Sequence, residues 1–329
     1  MQRIAILDGW RALSILMVLA GHLLPIGPRS WAMNVAVAGT GMALFFTLSG
    51  FLITQFMLHR PDVRAFLIRR LFRIVPLAWA AMAVLAIATR ADLATVLANF
   101  LFVSNLPPTR LMHGGEHLWS LCVEVQFYAT VALIVAVAGA RGLRVLPVLC
   151  VAVTIGRAVQ GAMMSNYTWQ RVDEILAGAT LALLHAHFLR RPRGVALPVW
   201  LPLVLLALTV AAAHGATGGL NYLRPYLAAA AVGTSIVAAP GWMRAAFASR
   251  PARYVADISY ALYVFHGMLS ATWLGSGDTL VRYAKRPLLF AATFAAAHLS
   301  TFRFEHPMIA LGKRLERRGA VSARPAASR

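Results

Sequence analysis

Long apolar segments alternate with short polar and basic loops along the whole chain. Ten of these segments are long enough, or nearly so, to cross a bilayer as helices. They cover residues 12–25, 32–58, 74–89, 118–140, 145–160, 174–189, 197–213, 223–239, 256–274 and 287–304. A further apolar stretch, Asp92 to Ser104, is too short to span and predicts a re-entrant or interfacial helix. The pattern therefore predicts an all-α polytopic membrane protein with about ten transmembrane helices.

Composition supports the same class. The 329 residues are 60% hydrophobic and 13% charged, whereas a soluble domain is closer to half apolar and a quarter charged. The net charge of +20 would suggest nucleic acid in a soluble protein, but here the basic residues lie in short loops between apolar segments. Two explanations remain, namely orientation of the chain by positive loops and binding of a polyanion at the cytoplasmic face. We expect no nucleic-acid partner.

The distribution of Lys and Arg predicts the orientation. About twenty-one of the thirty-one lie at the N-terminus, near residues 60–73, 141–144, 190–193 and 244–253, and in the tail after 312. The opposite loops hold about nine, so both termini are expected in the cytoplasm. The exception is an outer cluster of Arg282, Lys285 and Arg286, for which an anionic acceptor or headgroup is one explanation. The basic tail, 312–329, is expected to be disordered or to lie on the anionic inner leaflet.

The first apolar segment contains ionisable residues. Arg11 and His22 are eleven residues apart, so on a helix they share one face about 16 Å apart along the axis. Asp8 joins the same face. Ionisable groups in a membrane segment usually face a cavity or the bundle interior, which makes these residues functional candidates.

Two further motifs place charge near or inside the apolar segments. Arg70 and Arg73 form a cationic patch on a helix; this is either a positive anchor at the membrane surface or a clamp for phosphate. Glu124 is a carboxylate inside an apolar segment, where it either orients an imidazole or titrates near neutrality. The same segment supplies the supporting candidates Trp119, Ser120 and Tyr128.

The last two segments add polar residues of their own. Tyr260, Tyr263 and His266 recur at intervals of three, and a lone histidine of this kind is more often a satisfied core residue than a catalyst. Glu305 precedes Pro307, which we expect to end the last span. The histidines show no metal-ligand spacing, and the two cysteines form no disulfide framework, so no metal is expected.

Taken together, the motifs resemble the acyltransferase 3 family of bacterial membrane O-acyltransferases. The resemblance spans nearly the whole chain and rests on the following elements: the spacing of Arg11 and His22, the stretch Ser49 to Ile53, the Arg70 and Arg73 pair before Pro76, the stretch Trp119 to Tyr128, Ser259 to His266, and Glu305 to Pro307. Two departures are Cys122, where a serine is common, and Val125, where a second glutamate is common.

The resemblance implies a membrane domain over residues 1–311 in the bacterial inner membrane. It also implies transfer of an acyl group, most commonly acetyl from cytoplasmic acetyl-CoA, to a hydroxyl of an envelope or exported glycan or of a lipid-linked acceptor. Arg11, Arg70 and Arg73 would hold the phosphates of the acyl-CoA at the cytoplasmic edge. His22, deeper by helix rise, would act as general base or as nucleophile. Glu124 would orient the His22 ring, and Arg11 would complete the catalytic set.

Two other functions are compatible with the residues alone. A transporter or flippase for an anionic or glycan substrate would line its pathway with His22, Glu124 and His266, and paired broken helices would favour it. A scaffold for envelope assembly would leave the buried ionisable residues without a purpose. Neither the acceptor nor the oligomeric state follows from the sequence.

Overall fold

The structure is a computed structural model that describes residues 4–189 and 197–322. Its described residues are mainly helical, and they contain no β-strand. Fourteen α-helices are found in this part of the chain: α1 Ile6–Leu23, α2 Met33–His59, α3 Val63–Thr89, α4 Leu93–Phe100, α5 Trp119–Ala138, α6 Leu146–Val159, α7 Asp173–Leu184, α8 Leu201–Ala213, α9 Arg224–Ala238, α10 Gly241–Phe247, α11 Arg250–Ser270, α12 Thr279–Ala284, α13 Arg286–Ser300 and α14 His306–Ser322. The expected all-α class is confirmed.

Local sequence signals mark where several helices begin. The carboxylates of Asp62, Asp92 and Asp278 each accept a backbone N–H at the start of a helix, at 2.8–2.9 Å, which satisfies a donor that has no partner within the helix. Proline occupies the first turn of α6, α8, α9, α11 and α13, where its missing N–H costs little. The apolar segments between these signals form the helices.

The helix α2 lies at the centre of the fold. It packs against α1 and α7 along its length and also contacts α5, α8 and α9. On the other side of α1 lies α11, which contacts α3 and α13 as well. The helices α1, α2, α3, α5 and α11 therefore surround a common interior, and the candidate site is built there.

The number of membrane spans is lower by length and composition than the expected ten. Four stretches are long and apolar enough to cross a bilayer: α1, α2, α3 and the run from Glu116 to Val159, which contains α5 and α6. A fifth is possible if α9, with the turn before it, and α10 form one span bent by 107°. The remaining apolar segments do form helices, but α7, α8 and α13 have only 12–15 residues, which is short for a straight crossing. The count of about ten is not confirmed.

The last span was expected to end at Pro307, but the helical chain continues beyond that residue. The chain leaves α13 through a π-helical turn, Thr301–Glu305, and continues as α14 with Pro307 in its first turn. Residues 312–322, expected as part of a tail that is disordered or lies on the anionic inner leaflet, form the later part of helix α14. The expected tail residues 323–329 and the basic loop near 190–193 lie outside or mostly outside the described residues.

An ion-pair network attaches α14 to the α2–α3 region. Glu316 accepts from Arg69 at 2.6 and 2.9 Å and lies 2.8 Å from Arg60. The hydrogen bond from Arg69 is the main cause that lowers the pKa of Glu316 below its ordinary value. A charged tail segment is thus held in place by a carboxylate on its inner side.

We expect this attachment to weaken in acid. Because the folded-state pKa of Glu316 is lowered, its contribution to stability is complete above the ordinary glutamate pKa of about 4.3 and is lost as the pH falls through the folded-state value. Thermal unfolding should therefore show a steeper loss of stability below about pH 5 in the wild type than in Glu316→Gln. An equal loss of thermal stability with falling pH in the two proteins would contradict this account.

Glycines allow the close packing of α2 on α7. A Cβ atom at Gly50 would overlap the carbonyl oxygen of Ile175, and a Cβ at Gly178 would overlap that of Thr47. A Cβ atom at Gly41 would lie 2.6 Å from the carbonyl oxygen of Ser14 in α1, which is also too close. These glycines therefore permit close helix contact on both sides of α2.

Alanine at Gly50 or Gly178 should destabilise the protein by about 1–3 kcal/mol, because the backbones of α2 and α7 must move apart. Gly156→Ala is the matched control, since no atom lies within 4 Å of a Cβ at that position; it should be neutral or slightly stabilising. Thermal unfolding in detergent measures all three. Equal effects at the three positions would show that helix propensity, and not the contact, decides the outcome.

Candidate active site

The three arginines predicted to bind phosphate are brought together by α1 and α3. Arg11, Arg70 and Arg73, called here the arginine cluster, line one small cavity of about 40 Å³. Arg70 and Arg73 both interact electrostatically with Arg11. The buried Nε of Arg70 has no hydrogen-bond partner in the described structure. Three guanidinium groups so close together favour an anion between them.

Glu124 lies beside the arginine cluster and not beside His22. Its carboxylate Oε1 accepts hydrogen bonds from the hydroxyls of Ser49 and Tyr128, and it interacts electrostatically with Arg11. The reason is the position of α5 relative to α1 and α3, which puts Glu124 at the same level as the three arginines. The expectation that this carboxylate orients the His22 ring does not match the structure; the carboxylate instead offsets part of the positive charge of the arginine cluster.

Other predicted residues surround the same cluster. The guanidinium carbon of Arg70 lies over the Tyr128 ring, 5.9 Å from the centroid of that ring. Asp8 interacts electrostatically with Arg11, and Glu305 does so with Arg73. Tyr260 also lines the cavity, and its hydroxyl donates to the carbonyl of Ile74 at 2.6 Å. Negative groups from α1, α5 and the turn before α14 thus enclose the three positive ones.

His22 at the other end of α1 pairs with a second histidine. Its Nδ1 lies 2.9 Å from Nε2 of His266, and the two rings are stacked. Nδ1 of His266 lies 2.6 Å from the backbone carbonyl of Tyr263, which can only accept, so this nitrogen holds the proton. In the neutral ring Nε2 of His266 must then accept from Nδ1–H of His22. Nε2 of His22 therefore keeps its lone pair and is the basic nitrogen of the ring.

A third histidine supports this pair. The His117 ring lies 4.6 Å from that of His266, and its Nε2 donates to the carbonyl of Val264 at 3.1 Å. Gly267 allows the close approach, since a Cβ there would overlap the His117 ring. We call His22, His117 and His266 the histidine cluster. His266 is 1% exposed, whereas His22 is open to the cavity next to it.

The cavity at the histidine cluster has a volume of about 640 Å³, within the range of small-molecule sites. Its wall includes all three histidines together with residues from α2, the loop before α5 and the loop before α7. Those that matter below are Asn34, Glu116, Trp119, Asn166, Arg171 and Tyr263. The space beside Nε2 of His22 is thus large enough for a sugar-sized molecule.

Two aromatic rings separate the two cavities. Phe45 lines the arginine cavity and Tyr263 lines the histidine cavity, and their rings are stacked at a centroid distance of 6.0 Å. The Tyr263 hydroxyl is fixed, since it donates to the carbonyl of His117 and accepts from Ser120 at 2.7 Å. The predicted residues Ser120 and Tyr263 therefore hold this partition.

Sequence reasoning missed three residues at the site. Ser49 was not chosen as a site residue, although its hydroxyl donates to Glu124. His117 and Arg171 were not chosen as site residues because each lies at the edge of an apolar segment, where a polar residue is ordinary. Only the tertiary fold brings them to the cavities. The one signal in the sequence was that His117 is close to Trp119 and that Arg171 is close to Asp173.

Two other expectations concern groups outside the site. Among the described residues no group of His, Cys, Asp and Glu has a geometry that could hold a metal ion. In the outer basic cluster, Lys285 donates to the carbonyls of Trp273 and Ser276, and Arg282 and Arg286 both lie against Tyr283. Much of its cationic surface is thus engaged by its own neighbours.

Comparisons with known proteins give two relatives and one family profile. The peptidoglycan O-acetyltransferase OatA of Listeria monocytogenes is 25% identical over 91% of this chain, and this chain spans about half (54%) of that protein. Nodulation protein 10 of Rhizobium leguminosarum bv. viciae is 26% identical over 75% of this chain and 76% of its own length. No solved structure matches the chain significantly. The acyltransferase domain profile of the acyltransferase 3 family matches residues 4–302, and the chain therefore belongs to that family.

Proposed function

We propose that the protein is an integral-membrane O-acyltransferase that moves an acetyl group from acetyl-CoA to a hydroxyl of an envelope or exported glycan. The observation that carries the proposal is the His22–His266 pair, which leaves the basic Nε2 of His22 beside a cavity of about 640 Å³. Family membership supports acyl transfer. The printed name of the Listeria relative supports a glycan acceptor and an acetyl group.

The chemistry at His22 follows from its hydrogen bond. As general base, Nε2 takes the proton of the acceptor hydroxyl while the alkoxide oxygen attacks the thioester carbonyl. The C–S bond then breaks and the CoA sulfur leaves, taking the proton back from Nε2. As the positive charge develops on the His22 ring, the bond from Nδ1–H to His266 becomes stronger, so His266 stabilises that state. Attack by Nε2 itself, giving an acyl-imidazole, uses the same tautomer.

The arginine cluster is suited to the phosphates of the donor. Its α1 member, Arg11, lies about 16 Å below His22 by helix rise, which is on the order of the reach of a pantetheine arm. The unpartnered Nε of Arg70 is available to a phosphate oxygen. The cavity there is only about 40 Å³, so donor binding on this path requires the surrounding side chains and the Phe45–Tyr263 partition to move apart.

The separation of the arginine cluster from the histidine cavity gives the proposed acyl transfer a direction across the membrane. With both termini in the cytoplasm of a bacterial inner membrane, the arginine cluster faces the cytoplasmic pool of acyl-CoA and the histidine cavity faces the outside. The acyl group would then cross most of the bilayer while still attached to the pantetheine arm, and the glycan acceptor would enter from the other side.

The proposal is tested by release of free CoA and transfer of labelled acetyl by the purified protein in nanodiscs. Wild type, His22→Ala and Arg11→Ala are compared with [¹⁴C]acetyl-CoA and a mixture of envelope glycan fragments. We expect release that depends on His22, and a raised KM for acetyl-CoA in Arg11→Ala because one phosphate contact is lost.

Binding of acetyl-CoA is measured in the same preparation. Absence of both turnover and acetyl-CoA binding in the wild type would overturn the proposal and leave a transporter or flippase as the better explanation. Turnover that persists in His22→Ala would retain the acyltransferase activity but remove His22 from its centre.

A further inference from the structure

A second group of charged residues is buried next to the histidine cavity. Arg157, Arg171, Asp173, Glu174 and Arg224 come from the ends of α6, α7 and α9 and the loop between α6 and α7, and each is at most 3% exposed. Buried charges in proteins are normally paired. Three arginines meet two carboxylates here, so one positive charge has no equivalent partner within the group.

The two shortest ion pairs in the group can be identified. Arg157 donates to Asp173 and also to Asn221 at 3.0 Å, so its guanidinium is well satisfied. Arg224 Nε donates to Glu174 Oε1 at 2.7 Å. The remaining arginine, Arg171, lies 3.5 Å from the same Glu174 oxygen that Arg224 already uses. Arg171 is therefore the arginine with the weakest pairing in the group.

Arg171 is also incompletely hydrogen-bonded and lies at a cavity wall. Its buried Nε and NH1 have no hydrogen-bond partner in the described structure. The side chain lines the histidine cavity and a second one beside it of about 410 Å³. Burial lowers the pKa of Arg171 to about 10, so the group is charged at neutral pH. A guanidinium with unused donors next to open space is a binding group for an oxyanion.

The surroundings of Arg171 suit a sugar that bears such a group. The guanidinium carbon of Arg171 lies 5.5 Å from the centroid of the Trp119 ring. Trp119 lines both cavities, where it offers apolar ring surface. Asn166 lines both cavities as well and adds a polar side chain. The one carboxylate in the wall of the histidine cavity, Glu116, is exposed and lies 3.1 Å from His113. Arg171 therefore does not use that carboxylate as its hydrogen-bonding partner.

We propose that Arg171 is the anion-binding residue of the acceptor subsite, where it pairs with a carboxylate or phosphate on the sugar whose hydroxyl lies at His22. The inference rests on the proposed function and adds a selectivity to it: acidic acceptors are preferred to neutral ones. The guanidinium binds the anion and takes no part in the acyl transfer itself.

Matched probes test this selectivity by equilibrium binding to the wild type in nanodiscs. The carboxylate arm compares 4-nitrophenyl β-D-glucuronide with 4-nitrophenyl β-D-glucoside, and the phosphate arm compares glucose 6-phosphate with glucose. Charge-assisted hydrogen bonds correspond to a preference of about 10- to 100-fold for the anionic probe. Equal binding of both members in both arms would overturn the proposal without any variant.

Variants then connect the preference to Arg171. Arg171→Gln should bring the ratio close to one while leaving the affinity for the neutral probe unchanged, and Arg171→Lys, which keeps the charge and protects the fold, should retain part of it. Arg110→Gln, an exposed arginine next to Asp92, is the control and should change nothing. A preference that survives in Arg171→Gln would overturn the assignment.

The two proposals can fail separately. An Arg171-dependent preference without His22-dependent release of CoA would support the subsite and refute the acyltransferase mechanism. Release of CoA that depends on His22, with no preference between the matched probes, would support the acyltransferase mechanism and refute the subsite.

Discussion

Replacing His22 with alanine is expected to lower the rate of acyl transfer by about 10²- to 10⁴-fold, the usual contribution of a positioned general base. The loss should appear in kcat, with the KM for acetyl-CoA nearly unchanged, because the arginine cluster lies elsewhere on α1. Transfer of labelled acetyl to a glycan acceptor measures both constants. His113→Ala is the control, since His113 lines the same cavity but its side chain is 79% exposed and lies beside Glu116.

Variants of His266 separate positioning from simple packing. Glutamine at this position can still accept from Nδ1 of His22, whereas leucine cannot. His266→Gln should therefore keep more of kcat than His266→Leu, and the pH–rate profile should shift in the leucine variant because the partner of the His22 ring is gone. Equal kcat values and equal pH profiles in the two variants would show that His266 only fills space.

The largest expected effect on stability is at Asp173. Asp173→Asn leaves the fully buried guanidinium of Arg157 without its counter-charge, and breaking one half of a buried pair costs about 3–5 kcal/mol. The two free cysteines, Cys122 and Cys150, are buried. A thiol-reactive dye that reports their exposure on heating therefore measures unfolding directly.

Asp92→Asn provides the matched control for this measurement. The Asp92 side chain is 65% exposed and caps α4, a role that asparagine fills equally well. Its unfolding curve should coincide with that of the wild type. An Asp173→Asn protein that melts with the Asp92→Asn control would mean that Arg157 is satisfied by its carbonyl and amide partners alone.

The helical class and the first helix were accessible from the sequence because they depend on local pattern. A period of 3.6 residues is enough to put Arg11 and His22 on one face, and α1 does contain both. The same holds for Arg70 and Arg73, one turn apart in α3.

The partners of these residues were not accessible, because they depend on how distant helices align. The depth of Glu124 relative to α1 is set by the loop before α5, so the sequence could not show that it lies with the arginines and not with His22. Charge counting had a similar limit. A count of Lys and Arg includes Arg157, Arg171 and Arg224, yet all three are buried near Asp173 and Glu174. Bulk charge statistics cannot distinguish an orienting loop from an interior ion pair.

The stacked Phe45 and Tyr263 rings have a consequence for energy conservation in the cell. A polar path that ran unbroken from the arginine cluster to the histidine cluster would let protons leak along it and dissipate the proton-motive force. Two apolar ring faces between the cavities interrupt any continuous file of water. In the proposed acetyl transfer, the pantetheine arm that parts the rings would fill the gap it opens, so the path would stay closed to ions during each turnover.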